Sequence, residues 1–262
     1  MIHTLKVLQL FFRLHLSTAF FYRVNFFGGI VSTLLWMALS IIGISVLTYQ
    51  VPEIGGWNKL ELIAVQGVYS IVLGFTYFAF GESLKKLSQS VNRGDLDFKL
   101  LKPMDSQFMV SFGELKLYQL ARVLGGILLL IYSVHYLHLS VRFLDIVWLI
   151  FFLSISSAIV YSIWFMLTTL SIWLINMFNL NELIIQITGL TRYPLEIVRH
   201  LHRELLYLLL PLVVVTSVPA QIITQQTEWS LALWGVVVAV FLLYLSRKFW
   251  QFALIYYTSA SS

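Results

Sequence analysis

Residues Ile146–Asn181 read IVWLIFFLSISSAIVYSIWFMLTTLSIWLINMFNLN and contain no charged side chain. A membrane-spanning helix needs about 20 apolar residues at ~1.5 Å rise each. This run is therefore long enough to cross a bilayer and too long for one crossing at ordinary tilt. The rest of the 262-residue chain matches it, with 59% hydrophobic and only 11% charged residues and a mean hydropathy of +0.86. Soluble domains carry about 25% charged residues, so a soluble enzyme lacks the charge it needs. The same apolar content excludes a disordered chain. An outer-membrane barrel would alternate apolar and polar residues in short strands, whereas the runs here are unbroken. The fold class expected is an all-α polytopic membrane protein.

Outward from that run, apolar stretches predict spans at 24–50, 60–81, 118–140, 146–173 and 229–247, and one further span in the second half makes six, in a single domain covering 1–262. Pro52-Glu53-Ile54-Gly55-Gly56 marks a turn after the first. No signal-peptide pattern precedes them. Residues 1–22 instead predict an amphipathic helix. Leu5, Leu8, Phe12, Leu16 and Ala19 share one face, and Lys6, Gln9 and Arg13 share another. That helix is read as a surface anchor or as a contact for a cytoplasmic subunit.

Orientation follows from basic residues. Lys85, Lys86, Arg93, Lys99, Lys102 and Lys116 crowd 82–117, Lys6, Arg13 and Arg23 lie near the start, and Arg247 and Lys248 near the end. The positive-inside rule puts these regions and both termini in the cytoplasm. It also accounts for the net charge of +5 without a nucleic-acid partner. The second half admits two routes. In one, 182–203 is cytoplasmic and the fifth span is 204–225. In the other, the fifth span is 180–193, and 194–226 is an external re-entrant segment broken by Pro194, Pro211 and Pro219.

The cytoplasmic segment RGDLDFKLLKP, Arg93–Pro103, predicts a short isolated helix over 95–102. Gly94 breaks what precedes it, Asp95 caps it, Asp97 favours its positive end, and Pro103 stops it. Leu96, Phe98, Leu100 and Leu101 would then be exposed. Two turns are not stable alone in water, so the piece must dock on headgroups or in a partner's groove. Gly67, Gly74 and Gly81 recur every seven residues along the second span, for helix packing or for a dimer interface. His135/His138 and His200/His202 read as interfacial polar residues, and Asp95/Asp97 as caps, so no metal or catalytic site is expected. With no cysteine there is no disulfide or thiolate site. No P-loop, H-E-x-x-H or G-x-S-x-G occurs. Acidic residues inside the apolar runs are nearly absent, which argues against a proton-coupled relay. Tyr22, Trp57, Trp229 and Trp250 are expected in interfacial belts.

The amphipathic N-terminal helix, the six spans, the Arg93–Pro103 segment and Arg192-Tyr193-Pro194-Leu195-Glu196-Ile197 together resemble the ABC-2 type permeases, the membrane subunits of bacterial ATP-binding cassette exporters. The resemblance covers essentially the whole chain. It implies that 1–22 is a connecting helix with Lys6, Gln9 and Arg13 toward a partner. It implies that 95–102 is a coupling helix, in which Asp95, Leu96, Asp97, Phe98, Leu100, Leu101 and Pro103 contact a cassette ATPase subunit. It favours the external re-entrant route for 194–226. It further implies a bacterial inner-membrane location and no catalytic residue in this chain, with ATP and Mg held by the partner. The expected partners are cassette ATPase subunits, a second permease subunit, identical or related, and membrane lipid. The substrate would be lipid-like, peptide or drug-like. An ion-coupled carrier and a non-transporting scaffold are the alternatives.

Overall fold

The computed structural model describes residues 2–51, 53–174, 180–192 and 203–257. Helix α1 (Ile2–Phe21) meets α2 (Arg23–Gln50) at a single bend, Tyr22. A two-stranded hairpin, β1 (Glu53–Ile54) and β2 (Trp57–Asn58), pairs Glu53 with Asn58 through Gly55 and Gly56. Both glycines have positive φ, 63° and 84°, where a side chain is strained. Asn58 then caps α3 (Lys59–Thr76) in a reciprocal box with Glu61.

The helix does not stop where charge first appears. A π-helical turn, Tyr77–Gly81, carries α3 into α4 (Glu82–Arg93). At 1.5 Å per residue the stretch Lys59–Val91 is about 50 Å long, so α4 projects beyond a ~30 Å hydrocarbon core. Gly94, at φ 77°, ends α4 in the left-handed conformation. Three short pieces come next: α5 (Leu96–Leu100), α6 (Ser106–Ser111) and a 3₁₀ turn (Leu117–Gln119). Helices α7 (Leu120–Tyr136) and α8 (Phe143–Thr169) cross back and forth. The Ile146–Asn181 run leaves α8 through a 3₁₀ turn at Leu170–Ile172. There the hydroxyls of Thr168, Thr169 and Ser171 bond to preceding carbonyls. The break expected at 176–181 falls mostly outside the described residues. Helices α9 (Leu180–Leu190), α10 (Arg203–Ile223) and α11 (Trp229–Tyr256) complete the chain.

The expected all-α membrane class holds. Among the described residues, five stretches are long and apolar enough to cross a bilayer: Arg23–Gln50, Lys59–Val91, Leu117–Tyr136, Phe143–Ile172 and Trp229–Tyr256. The shorter apolar stretch Val214–Ile223 joins them. Helix α9 has 11 residues, about 16 Å, which is half a crossing. Pro194 lies outside the described residues, and α10 runs through both Pro211 and Pro219 without breaking. Close protein cover explains that tolerance. Its residues Val214, Val215, Val218 and Ala220 are fully buried in the core that includes α3, α8 and α11.

Helix α3 is the axis of the bundle, with every residue from Glu61 to Ser70 buried. Its glycines set how closely α7 approaches. A Cβ at Gly67 would lie 2.9 Å from the Gly126 carbonyl oxygen, and one at Gly126 2.6 Å from that of Gly67. Gly74 faces Val123 and Arg122 of α7. Gly81 turns instead to Trp164 of α8, because the π turn rotates it off that face. All three glycines pack within this chain rather than forming an open stripe for a second copy. At the far end, Ser133 donates to the Leu60 carbonyl (2.6 Å), Gln226 to Glu61 (2.9 Å) and Gln225 to the Ser140 carbonyl (2.9 Å).

Because Gly126 meets backbone, G126L should lower stability by about 1–3 kcal/mol through overpacking. Gly28 has nothing within 4 Å of its Cβ position, so G28A should leave stability unchanged or raised. Thermal unfolding of both variants in detergent tests the pair.

Candidate functional site

Two regions carry polar chemistry. The first is the end of the bundle where α4, α5 and α6 pack on the ends of α8 and α11. Leu84, Leu87, Val91, Leu96, Val110, Trp164, Phe165 and Trp250 form one buried cluster there. Around it, Trp250 donates its indole N–H to Ser106 (3.0 Å) and Tyr161 shares a hydrogen bond with Ser111 (2.7 Å). Arg247 binds the Asp105 carboxylate through both terminal nitrogens. Asp105 also caps α6 by accepting from the Phe108 N–H (2.9 Å). Burial pushes the Asp105 carboxyl up, but Arg247 and that N–H outweigh it and hold the group below the usual carboxylate range. Lys86–Glu114 (2.5 Å) and Lys116–Glu82 (3.4 Å) tie α4 to the segment entering α7.

The expected coupling residues divide here. The sequence pattern predicts an exposed Leu96, yet it is 0% exposed and sits in the cluster. Its burial follows from the Gly94 reversal, which folds α5 back against α4. Leu100 is half-buried on the same cluster, whereas Phe98 (71%) and Leu101 (81%) face out. Asp95 makes no side-chain cap bond, because its own backbone is already helical. Asp97 lies in the first turn of α5. The helix ends at Leu100, two residues short of the expectation, and exposed Pro103 comes after it in a bend. On α1, Gln9 and Arg13 are exposed, and the Lys6 side chain lies outside those described. The His15 ring contacts the Gly113 carbonyl (3.2 Å), which pins α1 to the segment between α6 and α7. Trp57 and Trp250 are core residues rather than belt residues. Tyr22 and Trp229 are exposed.

The second region is a cavity of about 370 Å³ between α2, α3, α7 and α9. Ser32, Ser40, Gln66, Tyr69, Tyr77, Gln119, Thr188 and two arginines line it, with Trp36 and Met37. The Arg122 and Arg192 guanidinium groups lie 5.2 and 5.5 Å from the centroid of the Tyr69 ring. Arg122 falls inside the span Leu117–Tyr136. Arg122 lies five residues from the start of that span, and the cation–π contact with Tyr69 stabilises a guanidinium there by about 0.5–2 kcal/mol.

Sequence reasoning misses Arg122, because the third charge-free run begins at Val123, just past it. The available signal is a basic residue within the span 118–140. Arg192 enters the sequence reading only through the Arg192–Ile197 resemblance, which assigns it no place in a cavity. It is instead turned inward just after the half-length α9, where the Thr191 carbonyl accepts from Thr216 of α10 (2.7 Å). Arg199, His200 and His202 lie outside the described residues.

A family profile described as ABC-2 family transporter protein matches residues 34–261, from the middle of α2 almost to the last residue. The chain belongs to the ABC-2 transporter family. No curated protein and no solved structure matches it. The resemblance drawn from the Arg93–Pro103 and Arg192–Ile197 segments is thereby established. This ABC-2 protein is a multi-pass membrane component of a transporter.

The Asp105–Arg247 pair gives a pH prediction. A carboxylate with a depressed folded pKa stabilises above its unfolded value and loses that effect as pH falls through the folded value. D105N keeps a capping side chain but not the charge. Wild type should be the more stable of the two from about pH 5 to 7, with the gap closing below about pH 4. Thermal unfolding across that range measures it.

Proposed function

We propose that this ABC-2 protein is the permease subunit of an ATP-driven exporter in the bacterial inner membrane, with both termini cytoplasmic. Separate cassette ATPase subunits, holding ATP and Mg, dock on the cytoplasmic end. A second permease subunit, identical or related, completes a pathway for a lipid-like, peptide or drug-like substrate.

The observation that carries this reading is the division within the α5 segment. Phe98 and Leu101 present apolar side chains outward, while Leu96 beside them is locked among Leu84, Leu87, Trp164 and Phe165. An exposed apolar pair on a rigidly held turn suits insertion into a partner's cleft, and an anchored base suits transmission of force. ATP-driven closure of the ATPase subunits would displace α5 and, through α4, the central helix α3. Gln9 and Arg13 on α1 would add a polar contact for the same partner.

The variant F98D/L101D changes only outward side chains. It should fold like wild type yet lose at least tenfold in retention of a co-expressed cassette ATPase. Retention equal to wild type refutes the coupling assignment. L96D should instead unfold the cytoplasmic end, which separates an anchoring residue from a docking one. Transport by vesicles that contain no ATPase would assign the protein to the ion-coupled carriers.

A further inference from the structure

The cavity between α2, α3, α7 and α9 is charged with one sign. Among its described lining residues are Arg122 and Arg192 and no acidic side chain. Both arginines converge on Tyr69. The buried Nε of Arg192 has no hydrogen-bond partner, which leaves a donor aimed at nothing. The buried Oε1 atoms of Gln66 and Gln119 are likewise unpaired, which leaves two acceptors. Buried polar atoms are nearly always paired in native proteins. Three orphans on one cavity, beside two cations, describe the complement of a ligand: an anionic centre flanked by hydroxyl donors.

The cavity's border says where the rest of that ligand goes. Ser32 and Trp36 line the cavity and also an adjoining groove with Gly28, Val31, Leu35 and Leu39 along α2. Leu35, Trp36 and Leu39 are exposed along the span Arg23–Gln50. Gly28 adds no side chain to fill that groove. A polar pocket opening onto an apolar groove matches a polar head joined to an aliphatic tail.

We propose that this cavity binds an amphiphile whose headgroup is a hydroxyl-bearing phosphate, with the phosphate between Arg122 and Arg192 and the tail along α2. Guanidinium groups favour phosphate because their planar donors match its oxygens. Gln66 and Gln119 accept from the headgroup hydroxyls. As a substrate class this deepens the permease reading and rests on it. As a binding site it is measurable with no ATPase present, so the two ideas fail separately.

The test is native mass spectrometry of the purified full chain in micelles containing equimolar phosphatidylglycerol and phosphatidylcholine, which share tails and differ in the head. Wild type should retain phosphatidylglycerol at least tenfold over phosphatidylcholine. R122Q/R192Q should bring that ratio close to one. R122K/R192K keeps the charge but loses the planar donors, and its ratio should fall between those of wild type and R122Q/R192Q. R142Q, at an exposed pair with Asp145, should leave it unchanged. Displacement of the lipid by excess glycerol 3-phosphate would support the headgroup as the determinant. Equal retention of the two lipids by wild type overturns the proposal and needs no variant to read. A preference that survives in a folded R122Q/R192Q protein overturns it also. Binding of glycerol 3-phosphate without any phosphatidylglycerol preference overturns the amphiphile in favour of a soluble phosphate.

Discussion

The backbone of α3 touches the backbone of α7 at Gly67 and Gly126, and the placement of the neighbouring helices depends on that contact. Lipid offers no hydrophobic drive for helices to associate, so close packing across small residues must supply it. Gly74 repeats the approach further along α3, against Val123 and Arg122. The consequence is chemical as well as mechanical. Only at this separation does Arg122 of α7 lie against Tyr69 of α3. Gly125, next to Gly126, faces Met37 of α2, so the same two-glycine step seats α7 against both neighbours. The cavity is the space left where α9, half a span long, fails to fill the fourth side.

The π turn at Tyr77–Gly81 joins the two polar regions. Tyr77 lines the cavity and packs on Trp164, 4.7 Å between ring centroids, while Trp164 belongs to the buried cluster that holds Leu96. Extra-residue turns of this kind gather at functional sites because the widened turn relaxes the helical register. Here it lets α3 keep its glycine face toward α7 while α4 presents Leu84, Leu87 and Val91 to α5, α6 and α8. A displacement passed from α5 to α4 by packing would therefore reach the cavity wall along the continuous helix of α4, the π turn and α3.

Much of the local structure is legible in the sequence because its causes are local. Gly55-Gly56 makes the hairpin, Gly94 ends α4, and the run at 146 gives a span, each from a few adjacent residues. The family is legible from the same kind of short segment. The orientation of α5 is not. In a helix of one turn the buried face is decided by what lies beneath it, and Leu96 differs from Phe98 only through Leu84 and Leu87, which come well before it in the chain. Arg192 and Arg122 are far apart in the chain, and nothing in either neighbourhood says that they share a ring. Trp250 reads as a belt residue because tryptophan at a span end usually is one. Its burial against Phe165 and Ser106 depends on how the loop between α4 and α7 folds back.

Ion pairs, hydrogen bonds and packing link that loop to the bundle, and the magnitudes of the ion pairs and the packing decide which of these two transmits force. The ion pairs Lys86–Glu114 and Lys116–Glu82 are partly exposed, and such pairs contribute about 0–1 kcal/mol each. A fully buried leucine contributes about 1.5–3 kcal/mol, and Leu84, Leu87 and Leu96 are all fully buried together. Packing therefore dominates the joint between α5 and α4, while the ion pairs set its registry with the start of α7. A joint held by packing is stiff against tilting and indifferent to salt. In the proposed cycle, α3 and α7 would accordingly move as one body, carrying Tyr69 and Arg122 together against the shorter α9 and its neighbour Arg192.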